Sequence, residues 1–313
     1  MTNVLAVGQY SDIDVKALAD EFGAVPLADL SQIAGLPEDG RAAVTALAYK
    51  GHHALDGQVM DLLPGLKLIA NFGVGYDAIN VSDASARGIS VTNTPNVLND
   101  DVADLAVALL VMESRKLTAS ENWMRAGNWP AEGAYPLARK MSGRKVGVLG
   151  MGRIGREIAD RLAAFKCEIH YQSRSRKDAP ADWTYHADPV ELARSVDDLV
   201  IAVVGGPDTV GFVSAEVIDA LGADGIIVNI ARGSVIDEAA LLDALENGRL
   251  RGAGLDVFLN EPDIDARFLS MPNVTILPHV GSATAETRAA MGDLQRQNVR
   301  AHLAGRPLVT PVN

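Results

Sequence analysis

From Val4 to Thr94, short apolar runs (VLAVG, AVTALAY, LKLIANFG and ISVTNT) alternate with polar stretches whose apolar positions recur at helical spacing. Continuous apolar runs joined by amphipathic segments predict buried strands of a parallel sheet linked by helices. After Pro95 the periodicity becomes helical from Asn99 to about Leu117, with Asn99 or Asp100 placed to cap the first turn. Between Thr118 and Gly143 the pattern loosens into ASENWMRAGNWPAEGAYPLARKMSG, which predicts an arm or loop. A second alternating unit opens at Lys145 with KVGVLG and runs through CEIHYQS, LVIAVVG, GIIVNI, GAGLDVF and VTILP to about Ala283. The last segment, Thr284 to about Ala304, is helix-periodic again and would carry the chain back to the first unit.

This order predicts an α/β protein with two doubly wound parallel-sheet domains. A Rossmann-type domain, residues 99–283, is inserted into a discontinuous flavodoxin-like domain made of residues 1–98 and 284–313. The linking helix and the arm 118–143 belong to the inserted part. A chain of 313 residues is long enough for each domain to bury its own core.

Composition narrows the function. The chain carries 28 basic and 40 acidic residues, a net charge of −12, and no stretch of Lys and Arg dense enough to follow a phosphate backbone, so nucleic acid is not an expected partner. No apolar run has the length of a membrane span, and the first residues, MTNVLAVGQYSD, lack the pattern of a signal peptide. The one cysteine, Cys167, sits in a strand-like run and reads as a buried inert thiol, so the expected location is the reducing cytoplasm.

Candidate chemistry begins at Gly150-Met151-Gly152-Arg153-Ile154-Gly155, which follows the strand KVGVLG and opens the helical run REIADRLAAF. In that context Gly150 permits the tight turn, Gly152 lets a pyrophosphate approach the backbone, Gly155 lets helix pack on strand, and the helix N-terminus favours negative charge. The next strand, CEIHYQS, lacks at its end the acidic residue that would hold both ribose hydroxyls of NAD. It leads instead into Ser173-Arg174-Ser175-Arg176-Lys177. Cations and hydroxyls at this position suit a 2′-phosphate, which points to NADP(H); a solvated basic turn is the alternative reading.

Three residues make little sense as packing. Arg232 follows GIIVNI, Glu261 follows GAGLDVF, and His279 follows VTILP, so all three are expected at strand ends on one edge of the same sheet.

At these stretches the sequence resembles the D-isomer-specific 2-hydroxyacid dehydrogenase family. VLGMGRIGREIA, VNIARGSVIDEAALLDAL, GAGLDVFLNEP and LPHVGSAT carry the resemblance, with NFGVGYDAIN and NTPNVLNDDVADLAVALL in the outer parts. It implies that Arg232, Glu261 and His279 are the catalytic set and that Val74 and Gly75 offer backbone N–H groups to a substrate carboxylate, beside Arg232 and His279. Asp256 is implied to contact the nicotinamide carboxamide, and Arg153, Ile154, Ile230 and Gly281, with Arg232 and His279, join the cofactor contacts. Length and the basic turn look most like the glyoxylate/hydroxypyruvate reductase branch, so the implied activity is reduction of a small 2-oxo acid to the D-2-hydroxy acid.

The chemistry is consistent with these residue types. Hydride delivery to a ketone builds negative charge on its oxygen, which calls for a positioned cation and a proton donor. Arg232 can fork between carboxylate and oxygen, and His279 can give up a proton, with Glu261 orienting the ring and favouring the imidazolium. Aromatic pyruvates and 2-ketogluconate are alternative substrates. A formate dehydrogenase is disfavoured because such relatives carry Gln where this chain has Glu261. A dinucleotide-sensing corepressor-like protein would bring interaction segments or nuclear-targeting clusters that this sequence lacks. The aromatics Trp123, Trp129 and Tyr135 in the arm predict a homodimer, with packing inside one subunit as the alternative.

Overall fold

The computed structural model describes residues 3–313 and divides the chain into two compact units. One contains the residues up to Leu98 together with Thr284–Asn313; the other is Asn99–Ala283.

In the first unit, five parallel strands, β1 (Val4–Gly8), β2 (Val25–Leu27), β3 (Ala46–Lys50), β4 (Leu68–Asn71) and β5 (Ser90–Thr92), lie in the order β2-β1-β3-β4-β5. This is the flavodoxin-like winding. Strand alternation divides the core in two: Leu5 and Val7 of β1 join Leu47, Tyr49 and Ile69 on one face. Val4 and Ala6 join Ala46, Ala48, Leu68 and Val299 on the other. Because both faces are covered, the strands read as continuous apolar runs. The helix Ala285–Leu303, capped by Thr284, supplies Val299 and belongs to this unit.

In the second unit, seven parallel strands are present: β6 (Lys145–Leu149), β7 (Glu168–Gln172), β8 (Thr184–His186), β9 (Asp198–Ile201), β10 (Ile226–Asn229), β11 (Gly252–Leu255) and β12 (Val274–Ile276). Their order is β12-β11-β10-β9-β6-β7-β8, so the winding reverses between β6 and β9, as in a Rossmann sheet extended by one strand. The helix Asn99–Arg115 packs on the helix Arg153–Ala164, where Arg161 pairs with Asp100, Asp104 and Glu157. Asn99 and Asp100 both fall inside the first turn of that helix.

The stretch predicted as a structureless arm contains two helices, Leu117–Arg125 and Asn128–Glu132. None of their residues is buried within the chain, and at nine and five residues both are too short for a helical period to repeat over several turns. Trp123 and Tyr135 pack edge to face at 5.4 Å, and Trp123 Nε1 donates to Glu132 Oε2 at 3.2 Å. Trp129 stays 60% exposed, and Leu117, Met124 and Leu137 are exposed beside it in sequence. Arg139, in the same stretch, is buried; it pairs with Asp198 of β9 and donates to the Asp224 carbonyl at 2.6 Å. Among the described residues no helix is long and apolar enough to cross a membrane.

Candidate active site

The glycine turn sits where the strand order reverses. Gly150, just past β6, lies at φ +100°, and a Cβ there would come within 2.7 Å of the Val203 nitrogen beyond β9. A Cβ at Gly155 would stand 1.9 Å from the Gly150 carbonyl oxygen, so helix and strand approach only because both positions are glycine. At Gly152 a Cβ would meet nothing within 4 Å, so the space in front of this backbone is open. Gly152 is the N-cap of Arg153–Ala164 and supplies no side-chain cap, whereas Ser11, Asp56, Asp188, Asp237 and Thr284 cap their helices. An uncapped first turn, carrying Arg153 and Ile154, beside open space fits a dinucleotide pyrophosphate.

The basic turn follows β7, on the other side of β6 from β9. Ser173 is buried, and its hydroxyl donates to the Ser175 carbonyl at 2.7 Å. Arg174, Ser175, Arg176 and Lys177 are exposed. Arg176 lies over the Tyr185 ring at 5.7 Å, while the side chains of Arg174 and Lys177 have no hydrogen bond or ion pair among the described residues. Two uncommitted cations next to the glycine turn fit a phosphorylated ribose.

Arg232, Glu261 and His279 follow the adjacent strands β10, β11 and β12 at their carboxyl ends. His279 Nδ1 lies 2.7 Å from Glu261 Oε2, and Glu261 Oε1 accepts the Phe258 N–H at 2.8 Å, so the carboxylate is fixed to the backbone while it holds the ring. Each of the two side chains is partly exposed. His279 has a left-handed backbone, φ +53°, a costly conformation for a residue with a side chain. Asp256 sustains it: its carbonyl accepts the His279 N–H at 2.9 Å, and its two carboxylate oxygens accept Val280 N–H at 2.7 Å and Gly281 N–H at 2.8 Å. Burial pushes the Asp256 carboxyl above its ordinary range, with those two N–H groups pulling the other way.

Arg232 is half-buried, with Nη1 donating to the Ala231 carbonyl at 2.7 Å. Its own carbonyl accepts Asn229 Nδ2 at 2.9 Å, and Asn229 Oδ1 accepts the Ala231 N–H at 3.0 Å, so this buried amide pins both ends of the loop that follows Ile230. Gly233 is equally constrained, since a Cβ there would stand 1.9 Å from the Phe258 carbonyl carbon.

In the first unit, Val74 and Gly75 follow β4. Their carbonyls are occupied: Asn93 Nδ2 donates to Val74 O at 2.9 Å and Asn71 Nδ2 to Gly75 O at 2.9 Å. Their N–H groups find no acceptor among the described residues, which makes them available to an anion.

Sequence reasoning passed over Asn71, Asn93, Asn229 and Gly205. The asparagines left a trace, a polar amide closing or flanking an apolar strand, in LIAN, VTN and IIVN. Gly205 matters through Arg232, whose Cγ a Cβ at that position would approach to 2.5 Å.

A parallel sheet in this order, with a glycine turn at its reversal, is the architecture of dinucleotide-dependent dehydrogenases. The chain belongs to the D-isomer-specific 2-hydroxyacid dehydrogenase family: the model for the NAD-binding domain of D-isomer specific 2-hydroxyacid dehydrogenases matches residues 107–281. The hydroxyphenylpyruvate reductase of Plectranthus scutellarioides is 44% identical over 270 residues, 86% of each chain. The 2-ketogluconate reductase of Gluconobacter oxydans is 44% identical over 273 residues, again 86% of each. A crystal structure of the NADPH-dependent glyoxylate/hydroxypyruvate reductase of Sinorhizobium meliloti, in complex with NADP and malonate, is 44% identical, with a TM-score of 0.93 over 99% of this chain and 96% of that one.

Proposed function

We propose that this 2-hydroxyacid dehydrogenase is an NADPH-dependent reductase of small 2-oxo acids of the glyoxylate and hydroxypyruvate type, yielding the D-2-hydroxy acid. The observation that carries the proposal is the 2.7 Å contact between His279 Nδ1 and Glu261 Oε2 at the carboxyl edge of a dinucleotide-binding sheet. Glu261 supports an acid–base histidine by accepting from Nδ1, and Nε2 is the nitrogen assigned to carry the proton given to the substrate oxygen. Arg232 supplies the cation for the carboxylate and for the charge that develops on that oxygen. The N–H groups of Val74 and Gly75, which find no acceptor among the described residues, are assigned to a substrate carboxylate as well.

A bound dihydronicotinamide supplies the hydride. The Gly150–Gly155 turn would hold the pyrophosphate and Arg174, Ser175 and Lys177 the 2′-phosphate, whereas the Ser173 hydroxyl, expected from the sequence to join them, is buried and donates its proton to Ser175 O, so it would act through the backbone of the turn. In this reading, Asn99–Ala283 is the cofactor domain and the other unit is the substrate domain. Asp256 holds the His279 loop from a buried position, with both carboxylate oxygens bonded to backbone N–H groups, and its place near the carboxamide rests on the family likeness alone. Ile230 and Gly281 flank the same site, after β10 and β12.

The exposed Trp129, Met124 and Leu137 favour a homodimer. The single, buried thiol of Cys167 suits the cytoplasm.

A substrate panel tests the proposal. With NADPH, glyoxylate and hydroxypyruvate should give kcat/KM values above those for hydroxyphenylpyruvate and 2-ketogluconate. The latter two stand as the second reading because of the 44% identity to reductases named for them. No NADPH oxidation with any 2-oxo acid would overturn it.

A further inference from the structure

We infer that Tyr171 and Tyr185 are positioning residues for cofactor selectivity, because their hydroxyls hold the basic turn in shape before any ligand arrives; the inference rests on the NADPH reading above. Tyr171 lies in β7 and is buried, yet its hydroxyl is fully engaged. It accepts the Lys177 N–H at 3.1 Å and donates to the Lys177 carbonyl at 3.3 Å. One phenol therefore closes the segment from the end of β7 to Lys177 into a loop.

Tyr185 does the same at the start of the turn. It lies in β8, donates to the Ser173 carbonyl at 3.3 Å, and packs its ring against Tyr171 with centroids 5.5 Å apart. Its other neighbour is the Arg176 guanidinium. The Ser173 hydroxyl completes the frame by donating to Ser175 O. None of these bonds uses the Arg174 or Lys177 side chains, so the cations remain free while the backbone that carries them is tied down.

A flexible turn would lose conformational entropy on ordering two long cations around a phosphate, and a turn ordered in advance avoids most of that loss. Without the hydroxyls the cations would still be present but would bind the 2′-phosphate less tightly. Through Tyr185 the edge strand β8 thus acts on the turn by bonding its backbone.

The test uses Tyr171→Phe and Tyr185→Phe, each of which removes one oxygen and keeps the ring. Isothermal titration with 2′,5′-ADP and with 5′-AMP separates the 2′-phosphate from the rest of the adenosine. Hydrogen exchange without ligand reports the Lys177 amide directly. Either variant should weaken 2′,5′-ADP roughly fivefold or more while leaving 5′-AMP within about twofold, and Tyr171→Phe should speed Lys177 amide exchange at least about tenfold. Arg174→Ala, as the control, should weaken 2′,5′-ADP with no change in that exchange.

Unchanged 2′,5′-ADP affinity in both tyrosine variants while Arg174→Ala weakens it would overturn the inference and leave the NADPH reading standing. Equal binding of 2′,5′-ADP and 5′-AMP by the parent protein would overturn the NADPH reading, and with it any role for the tyrosines in selectivity. Unchanged Lys177 exchange in Tyr171→Phe would show that the hydroxyl does not hold the turn.

Discussion

A Cβ placed on Gly205 would lie 2.5 Å from Cγ of Arg232, so the stem of the arginine occupies the space that a side chain at position 205 would fill. Cγ is close to the root of the side chain and cannot swing aside without moving the guanidinium. Gly205→Ala should therefore lower kcat/KM about 10- to 100-fold, in line with the cost of misplacing a catalytic group by an ångström or less. NADPH binding, followed by fluorescence, should change little. Parent-like kinetics would mean that Arg232 works from more than one stem conformation.

The proposed preference for NADPH rests on Arg174 and Lys177, whose side chains have no hydrogen bond or ion pair among the described residues. If two contacts to the 2′-phosphate contribute about 1.5–3 kcal/mol each, NADPH should be preferred over NADH by on the order of a hundredfold or more. Arg174→Ala should remove much of that preference. Equal kcat/KM for the two cofactors in the parent protein would contradict the assignment.

Assembly is read from Trp129, Met124 and Leu137, which are exposed on or next to the two short helices. Light scattering at micromolar concentration should give about twice the 33.0 kDa chain mass. Trp129→Glu should shift the mass toward the monomer. A monomer in the parent protein would leave these side chains without a role.

Cys167 is buried, and burial pushes its thiol up to about 11, with Asp198 adding to the effect. The thiolate is the reactive form, so raising the value removes the nucleophile at neutral pH. Alkylation by iodoacetamide at pH 8 should be slower than for a free cysteine by roughly a hundredfold or more in the native protein, and should become fast in denaturant. Rapid labelling of the native protein would contradict the burial.

Much of the architecture was legible because buried parallel strands read as unbroken apolar runs. The exceptions have one cause. β2 (VPL) and β8 (TYH) are three-residue edge strands, partly exposed and polar or proline-bearing, so they lack the apolar signature. The helices at Leu117–Arg125 and Asn128–Glu132 are likewise too short, at nine and five residues, for a helical period to repeat over several turns.

At the site, the charged candidates stood out because Arg, Glu and His after apolar strands are unusual. What positions them did not. The asparagines at 71, 93 and 229 act by bonding to backbone groups of loops whose course only the folded chain defines. The left-handed turn at His279 depends on three N–H bonds to Asp256, which no pattern along the chain displays.

The central claim is that Glu261 holds His279 as the proton donor, and the kinetics of Glu261→Gln in the reductive direction test it most directly. Reduction needs a proton delivered to the substrate oxygen as the hydride arrives. The amide can still accept from Nδ1, but without the carboxylate's charge the bond that holds the ring is weaker. With glyoxylate and NADPH, kcat should fall about 10- to 100-fold while NADPH binding stays unchanged. His279→Ala should lose roughly 100- to 10,000-fold at every pH while still binding NADPH. Glu261→Gln kinetics that match the parent's, at saturating and subsaturating substrate alike, would contradict the account.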